Sequence, residues 1–117
     1  MRYYIIFGVT AVLLLIILFY NPYLGVYENS ISIDYNFNDE NYVWEYRASN
    51  NNLVLSEQSE NHWKFIPNKN GSIDLEFIYK NDQDVKYRIV YNFKIKNKKI
   101  YWINGEGYGL LDFPNPT

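Results

Sequence analysis

The stretch IDLEFIYKNDQDVKYRIVYNFKI (residues 73–95) decides the fold, because apolar and polar residues alternate on both sides of a short polar break. A period of two places apolar side chains on one face of a β-strand and polar side chains on the other. The break, NDQD (81–84), has the composition of a turn. We therefore predict two antiparallel strands joined by a turn, each with one face in a hydrophobic core.

Shorter runs of the same alternation precede this stretch. They lie at Ile31–Phe37, Tyr42–Ala48, Leu53–Leu55 and Trp63–Phe65. Polar turn signals separate the successive runs at 38–41, 49–52, 56–61, 67–71 and 81–84. Six strands joined by short polar turns predict an all-β fold, either an antiparallel β-sandwich or a small barrel, with its core in residues 31–96.

The N-terminal residues differ in character, since no charged residue lies between Tyr3 and Tyr20. As a helix this segment would be about 27 Å long, close to the roughly 30 Å hydrocarbon core of a bilayer. We predict a transmembrane helix in residues 1–22, acting as a signal anchor, and a linker in residues 23–30. Arg2 precedes the segment, which favours a single-pass protein with a cytoplasmic N-terminus and an extracytoplasmic C-terminal domain. A cleaved signal peptide is the alternative, although its apolar region is usually about 7–15 residues long.

Composition narrows the function. The chain has 117 residues, a net charge of −2, one histidine (His62) and no cysteine. The weak negative charge gives no field that would attract nucleic acid. Without cysteine or a histidine cluster there is no evident nucleophile–base pair or transition-metal site, so we predict a protein that is not an enzyme and has no cofactor and no metal. Calcium at the acidic turns is a minor alternative, because carboxylate and amide oxygens suit that ion.

Aromatic residues compensate for the absence of disulfides. They make up 20% of the chain, and each buries about 150–250 Å² when it enters a core. That burial can stabilise a domain of this small size. The abundance of Asn, Lys, Ile and Tyr is typical of a bacterial protein from an AT-rich genome.

Residues 97–117 are predicted to form a C-terminal hairpin extension. Asn104-Gly105 is a strong signal for a two-residue hairpin turn. The two arms would be KIYWI (99–103) and YGLL (108–111).

Strand order predicts which turns meet. If successive strands run up and down, the turns at 38–41, 56–61 and 81–84 share one end of the domain. That end contains acidic and amide side chains and no lysine or arginine. The candidate partner-binding residues are Asp39, Glu40, Asn41, Glu57, Glu60, Asp82 and Asp84. The chain would leave the membrane at the opposite end, so the acidic end is predicted to be membrane-distal.

The strand pattern resembles the chagasin-type inhibitors of papain-like cysteine peptidases, a family of immunoglobulin-like β-sandwiches. The segments that carry the resemblance are ISIDYNF (31–37), NYVWEYRAS (41–49), HWKFIPNKNGSIDLEFIYK (62–80) and YRIVYNFKI (87–95). The residues that fit the family's pattern are Tyr42, Trp44, Gly71, Phe77, Tyr79 and Tyr91. The resemblance implies that three loops at one end enter a peptidase cleft as a wedge. We interpret four residues as buried anchors that hold these loops stiff: Tyr42, Trp44, Phe77 and Tyr91.

The inhibitory motifs of that family are missing at these turns. Asn38–Asn41 stands where the family has Asn-Pro-Thr-Thr-Gly, the second loop has no glycine, and Asn81–Asp84 replaces Arg-Pro-Trp. The family's first strand is replaced by the anchor, and the C-terminal hairpin is a candidate for the vacated edge.

Two functions are compatible with these observations. The first is a protein-binding module, a divergent cysteine-peptidase inhibitor whose partner is a papain-like peptidase or an envelope protein. The alternative is a non-inhibitory structural subunit of a cell-envelope complex, assembled through its transmembrane helix and sheet edges. Both include membrane lipid around residues 3–20, and neither includes nucleic acid.

Overall fold

The computed structural model describes residues 23–36, 40–109 and 113–117, and every regular element in these residues is a β-strand. The strands are β1 (Gly25–Glu28), β2 (Ile31–Asp34), β3 (Val43–Ala48), β4 (Leu53–Ser59), β5 (His62–Pro67), β6 (Gly71–Lys80), β7 (Val85–Lys96) and β8 (Lys99–Tyr108). The pairings among these strands are antiparallel. The prediction of an all-β fold with antiparallel sheets is therefore confirmed.

The strands form two sheets that pack face to face. The large sheet has five strands in the order β1-β8-β7-β6-β3, and the small sheet has three in the order β2-β5-β4. In β7 every second residue from Ile89 to Ile95 is buried, which is the alternation seen in the sequence. Burial of these apolar side chains between the sheets is the main favourable contribution to folding.

Aromatic rings from both sheets meet at Phe77. This residue of β6 is fully buried, and its ring centroid lies 5.1 Å from that of Trp63 and 5.8 Å from that of Tyr91. Tyr35 and Phe65 approach it at 5.7 and 6.4 Å. Tilted and edge-to-face contacts of this kind are the favourable geometries for aromatic pairs. Buried aliphatic residues surround the rings: Ile31, Ile33, Leu53, Ile73, Leu75, Ile89, Ile95 and Ile100.

Residues 23–30, assigned to a linker from the sequence, contain strand β1. Gly25–Glu28 pairs with the first part of β8. Tyr27 packs against the core, and its hydroxyl donates a hydrogen bond to the carbonyl of Pro116 at 2.9 Å. A four-residue alternation is too short to distinguish from a loop in sequence, so pairing with β8 is what makes this segment a strand.

The predicted hairpin turn at Asn104-Gly105 is wrong, because β8 runs through both residues. The turn before β8 is Asn97-Lys98, where both residues have positive φ (52° and 64°), as a two-residue type I′ turn requires. Near Asn104 the register between β7 and β8 shifts, which is a β-bulge. Gly105 serves packing, since a Cβ there would lie 2.8 Å from the ring of Phe113.

Residues 113–117, here called the C-terminal strap, bridge the two sheets. Ser32 of β2 exchanges two backbone hydrogen bonds with Thr117, at 3.1 and 2.8 Å. From the large sheet, the Tyr91 hydroxyl donates to the carbonyl of Pro114 at 2.8 Å, and Phe113 packs edge-to-face on the Tyr91 ring at 5.6 Å. The expected C-terminal hairpin is therefore replaced by β8, which extends the large sheet, while the strap borders the edge of β2.

The predicted transmembrane anchor lies outside the described residues. Within the part of the chain that the structure describes, no helix is long and apolar enough to cross a membrane. The described chain begins at Tyr23, whose ring lies 4.7 Å from that of Tyr101 in β8.

Two buried tyrosines make the fold sensitive to alkaline pH. The hydroxyl oxygens of Tyr35 and Tyr91 lie 3.2 Å apart in the core. Burial raises the pKa of Tyr91 to about 12 and also raises the pKa of Tyr35. An unfolded tyrosine ionises near pH 10, so above this pH the unfolded state releases its protons first. The contribution of these two tyrosines to the free energy of unfolding is therefore fully present below about pH 10 and decreases as the pH rises toward 12.

We expect the free energy of unfolding of residues 23–117 to fall by about 1.4 kcal/mol per pH unit for each of these tyrosines between about pH 10 and 12. Urea unfolding followed by tryptophan fluorescence at several pH values measures this slope. In Tyr91→Phe one of the two contributions should disappear. A variant with the wild-type slope would contradict the assignment.

Candidate functional site

Three connections meet at one end of the sandwich, here called the loop end. They are the described residues of the β2–β3 connection (35–36 and 40–42), the β4–β5 turn (60–61) and the β6–β7 connection (81–84). The backbone N–H of Tyr35 donates to the carbonyl of Asn61 at 2.9 Å, which joins the first two. The Tyr42 hydroxyl donates to the Asp84 carboxylate at 3.5 Å, which joins the first and the third. The turns that strand order grouped are thus neighbours in the structure.

The third connection is held rigid by Asn81. Its side-chain oxygen accepts hydrogen bonds from the backbone N–H groups of Gln83 and Asp84, at 2.9 and 2.8 Å. Its own backbone N–H donates to the carbonyl of Asp84 at 2.9 Å. An asparagine bonded to its own backbone in this way forms an Asx turn. Asp82 and Gln83 are therefore exposed on a preorganised turn.

Tyr42 connects the first loop to the strands below it. Its ring stacks on that of Tyr79 at 5.3 Å, and the Nζ atom of Lys86 lies 5.1 Å from the ring centroid. A cation over an aromatic ring contributes about 0.5–1 kcal/mol at an exposed site. Because Tyr42 is only half-buried, it supports the loop and also presents a surface to a partner.

A cleft of about 190 Å³ opens at the loop end, between β3 and the β4–β5 hairpin. The aromatic residues that line it are Tyr42, Trp44 and Trp63, and the polar ones include Gln58, Glu60 and Asn61. Small-molecule pockets usually measure roughly 300–1,000 Å³. The cleft is therefore of a size to receive one side chain or a short stretch of backbone from a partner.

Trp63, which lines this cleft, has an unpaired donor. The residue is 2% exposed, and within residues 23–36, 40–109 and 113–117 its buried indole N–H has no acceptor. A buried donor left unpaired costs about 1–3 kcal/mol. Trp102, by contrast, donates its indole N–H to the carbonyl of Asn104 at 2.9 Å. A bound acceptor would remove the cost at Trp63.

Most of the predicted partner-binding residues lie at the loop end. Glu40, Asn41, Glu60, Asp82 and Asp84 are exposed on its three connections. Asp39 falls outside the described residues. The four carboxylates of this set, one on the first connection, one on the second and two on the third, are here called the acidic rim; of these, Glu60 lines the cleft.

Glu57 is placed differently from the prediction. The sequence predicted a loop at 56–61, but β4 continues to Ser59, and only the last two residues of that range form the turn. A β-bulge lets the strand continue past the polar residues, with Glu57 opposite Lys64. The left-handed φ of Asn61 (59°) then closes the hairpin. Glu57 therefore lies on a strand, about 10 Å before the turn.

The loop end also contains cations that lie outside the turn sequences. Lys86 of β7 reaches the Tyr42 ring, as described above. Lys80, at the end of β6, forms an ion pair with Glu45 at 2.8 Å, and this bond holds the pKa of Glu45 below its usual range. Both lysines belong to strands, so the composition of the turns does not reveal them. A partner at the loop end would therefore meet basic groups at the ends of β6 and β7 as well as the acidic rim.

The four predicted anchors divide into two pairs. Phe77 and Tyr91 are fully buried in the core. Tyr42 and Trp44 are half-buried and line the cleft, with Trp44 stacked on Tyr35 at 3.9 Å. Trp63 was not among the predicted site residues. A signal for it existed, because it is the second residue of the strand that follows the β4–β5 turn and so lies at the same end as Trp44.

The opposite end is joined by asparagine side chains. Asn50 and Asn52 donate to the carbonyl of Ser72 at 2.8 and 2.9 Å. β1 runs toward this end, so the described chain begins beside Trp102 and not at the end itself. The expectation of a membrane-distal loop end assumed that the chain leaves the membrane at this opposite end, and strand β1 removes that assumption.

The loop end can contact a partner through hydrogen bonds, aromatic rings and charged groups. His62 contacts Asp34, its neighbour across β5 and β2. Among the described residues, no group of three or more histidine, aspartate or glutamate side chains could hold a metal ion.

Comparisons with protein-family models, with curated proteins and with solved structures gave no match.

Proposed function

We propose that this protein is a membrane-anchored binding protein whose loop end receives a protein partner. Residues 3–20, which carry no charge, supply the anchor. The observation that carries the proposal is the cleft with aromatic walls at the loop end, lined in part by Trp63, whose buried indole N–H has no acceptor among the described residues. A carbonyl of the partner that reached this indole would satisfy it. The acidic rim would then favour a basic partner surface and exclude acidic ones.

We infer that β2–β7 form an immunoglobulin-like sandwich. The order β2-β5-β4 corresponds to strands B, E and D of that fold, and the order β3-β6-β7 corresponds to strands C, F and G. Strands β8 and β1 then extend the second sheet beyond the G position. Trp44 lies on the strand in the C position, where immunoglobulin domains carry a core tryptophan. In this frame the loop end consists of the B–C, D–E and F–G connections.

This frame supports the resemblance to chagasin-type inhibitors, because that resemblance assigns the same three connections to a peptidase cleft. A papain-like cysteine peptidase is therefore the first candidate partner. The β4–β5 turn has only two residues, which is too short for a loop that enters a cleft. The contact surface therefore consists of the acidic rim and the cleft.

A titration of papain with residues 23–117, with residual peptidase activity as the readout, tests the proposal. We expect inhibition in the nanomolar to micromolar range, because preorganised connections lose little entropy on binding. Neutralising the acidic rim with Glu40→Gln, Glu60→Gln, Asp82→Asn and Asp84→Asn should weaken inhibition about tenfold or more. Glu57→Gln is the matched control, since this exposed carboxylate lies away from the turns and should be neutral in the assay.

A second readout follows the indole N–H groups by NMR. In the complex the Trp63 resonance should shift downfield, while that of Trp102, which already has an acceptor, should stay in place. If the rim variant inhibits as well as the wild type, the acidic rim has no part in binding. If a domain shown to be folded by circular dichroism does not inhibit at high micromolar concentration, papain-like peptidases are not the partner, and crosslinking in membranes becomes the next step.

A further inference from the structure

An exposed apolar patch lies where the described chain begins. Leu24 and Val26 are 60% and 44% exposed, and Ile103 of β8 is 41% exposed. The rings of Tyr23 and Tyr101 meet at the same place. We call these five residues the edge patch. Single exposed apolar residues are ordinary on a protein surface, but a contiguous group marks a contact with a partner or a membrane.

Strand register places the edge patch on the outer face of the large sheet. Val26 is opposite Tyr101, and Tyr101 is opposite Lys94. Directly paired residues of antiparallel strands present their side chains on one face. The next pair along the strands, Tyr27 and Ile100, packs into the core. The face that carries Val26 is therefore turned away from the core.

Lysines border the edge patch on this face. Lys94 and Lys96 of β7 are exposed, and within the described part of the chain neither pairs with a carboxylate. Lys99 lies 3.7 Å from Glu28, an exposed and loosely held pair. Apolar and aromatic side chains bordered by lysines match the two layers of an anionic membrane surface, its acyl boundary and its phosphates.

The upstream chain brings this face to a bilayer. Residues 3–20 carry no charge, and only Asn21 and Pro22 separate Tyr20 from Tyr23. Three extended residues reach at most about 10 Å. The headgroup region is on the order of 5–8 Å thick on each side of a bilayer. With residues 3–20 in the hydrocarbon core, the edge patch therefore lies within reach of the headgroups.

We propose that the large sheet rests its β1–β8 edge on an anionic membrane surface, with the edge patch in the interface and the lysines at the phosphates. The proposal rests on the membrane anchor of the proposed function and goes beyond it by fixing the orientation of the domain. Strand β3 is at the far edge of the same sheet. The cleft beside β3 is then held away from the lipid and open to a partner.

Spin labels test this orientation, and the absence of cysteine in the chain makes single labels clean. The full chain is reconstituted in phosphatidylcholine vesicles that contain phosphatidylserine. Val26→Cys places a label in the edge patch. Val43→Cys, at a position that is 64% exposed on β3, is the matched control. We expect oxygen to relax the label at position 26 more than a water-soluble nickel chelate does, and the reverse at position 43.

Each outcome decides the proposal. Equal access of the nickel chelate to both labels would overturn it. A label at position 26 that is shielded from both reagents would also overturn it, because the patch would then be covered by protein, such as a second copy of the chain. Exchange of Lys94 and Lys96 for Gln should raise nickel access at position 26 several-fold in the anionic vesicles and leave it unchanged in phosphatidylcholine alone. Unchanged access in both would refute the role of the lysines.

Flotation of the same samples separates this proposal from the others. A chain that does not float with the vesicles refutes the anchor itself. The papain titration needs no membrane, so a failure of loop-end binding is seen independently of the orientation.

Discussion

Removal of the C-terminal strap is expected to lower the free energy of unfolding by about 5 kcal/mol. Four short hydrogen bonds hold the strap, two with the backbone of Ser32 and one each from the hydroxyls of Tyr27 and Tyr91. The Thr117 hydroxyl adds a longer one, of 3.5 Å, to the carbonyl of Ser32. At about 1 kcal/mol for each bond these account for most of the loss. Burial of Phe113 adds about 1–2 kcal/mol. Small domains have only about 5–15 kcal/mol in total, so the shortened chain should be marginal or unfolded.

Urea unfolding of residues 23–112 beside residues 23–117, followed by tryptophan fluorescence, measures this loss. Deletion of Thr117 alone is the control, since it removes the two backbone bonds and the longer hydroxyl bond to Ser32 and leaves the contacts of Phe113 and Pro114 in place. That control should cost about 2 kcal/mol. Equal unfolding midpoints for residues 23–112, residues 23–116 and residues 23–117 would mean that the strap only lies on the surface.

The strap also shows why one element could not be predicted from the sequence. Asn104-Gly105 has the composition of a hairpin turn, but glycine serves two purposes, a positive φ and a close approach. Here Gly105 and Gly107 leave room for the ring of Phe113, which a Cβ would meet at 2.8 and 2.9 Å. The positive φ angles of the hairpin fall at Asn97 and Lys98 instead.

Long alternating segments were predicted well for a simple reason. The apolar run from Ile73 to Tyr79 lies within β6, and the run from Val85 to Ile95 lies within β7. Over such lengths a period of two is hard to mistake for anything but a strand with one buried face. Strand β1 has four residues and depends on pairing with β8, which no local pattern encodes.

Only one feature of the candidate site could be predicted from the sequence, namely which connections share an end, because that depends on strand direction alone. Antiparallel order is enough to bring the three connections to one end. The cleft forms between β3 and the β4–β5 hairpin, which belong to different sheets, so no single segment specifies it. The position of Glu57 depends on a bulge, and that of Lys86 depends on packing against Tyr42. Both are non-local consequences of the fold.

The second large effect is expected at Phe77, where replacement by alanine should cost about 3–5 kcal/mol. The side chain is fully buried, and five rings surround it at centroid distances from 5.1 to 6.4 Å. These rings belong to Tyr35, Tyr46, Trp63, Phe65 and Tyr91. Four of them lie on strands of the two sheets, and the backbone of the fifth, Tyr35, is hydrogen-bonded to Asn61, so the backbone positions of the rings are fixed. The rings therefore cannot collapse into the space left by the phenyl group, and a cavity adds to the lost burial.

The control is Phe77→Leu, which keeps most of the volume and should cost less than about 1.5 kcal/mol. Urea unfolding measures both variants. Because Trp63 lines the cleft and also packs on Phe77, the alanine variant should move the Trp63 indole resonance and weaken partner binding under conditions where it stays folded. A loss below about 1 kcal/mol for alanine would mean that the rings repack freely. The loop end would then owe its stiffness to the turns alone, and Asn81, which bonds three times within its own turn, would become the residue to replace.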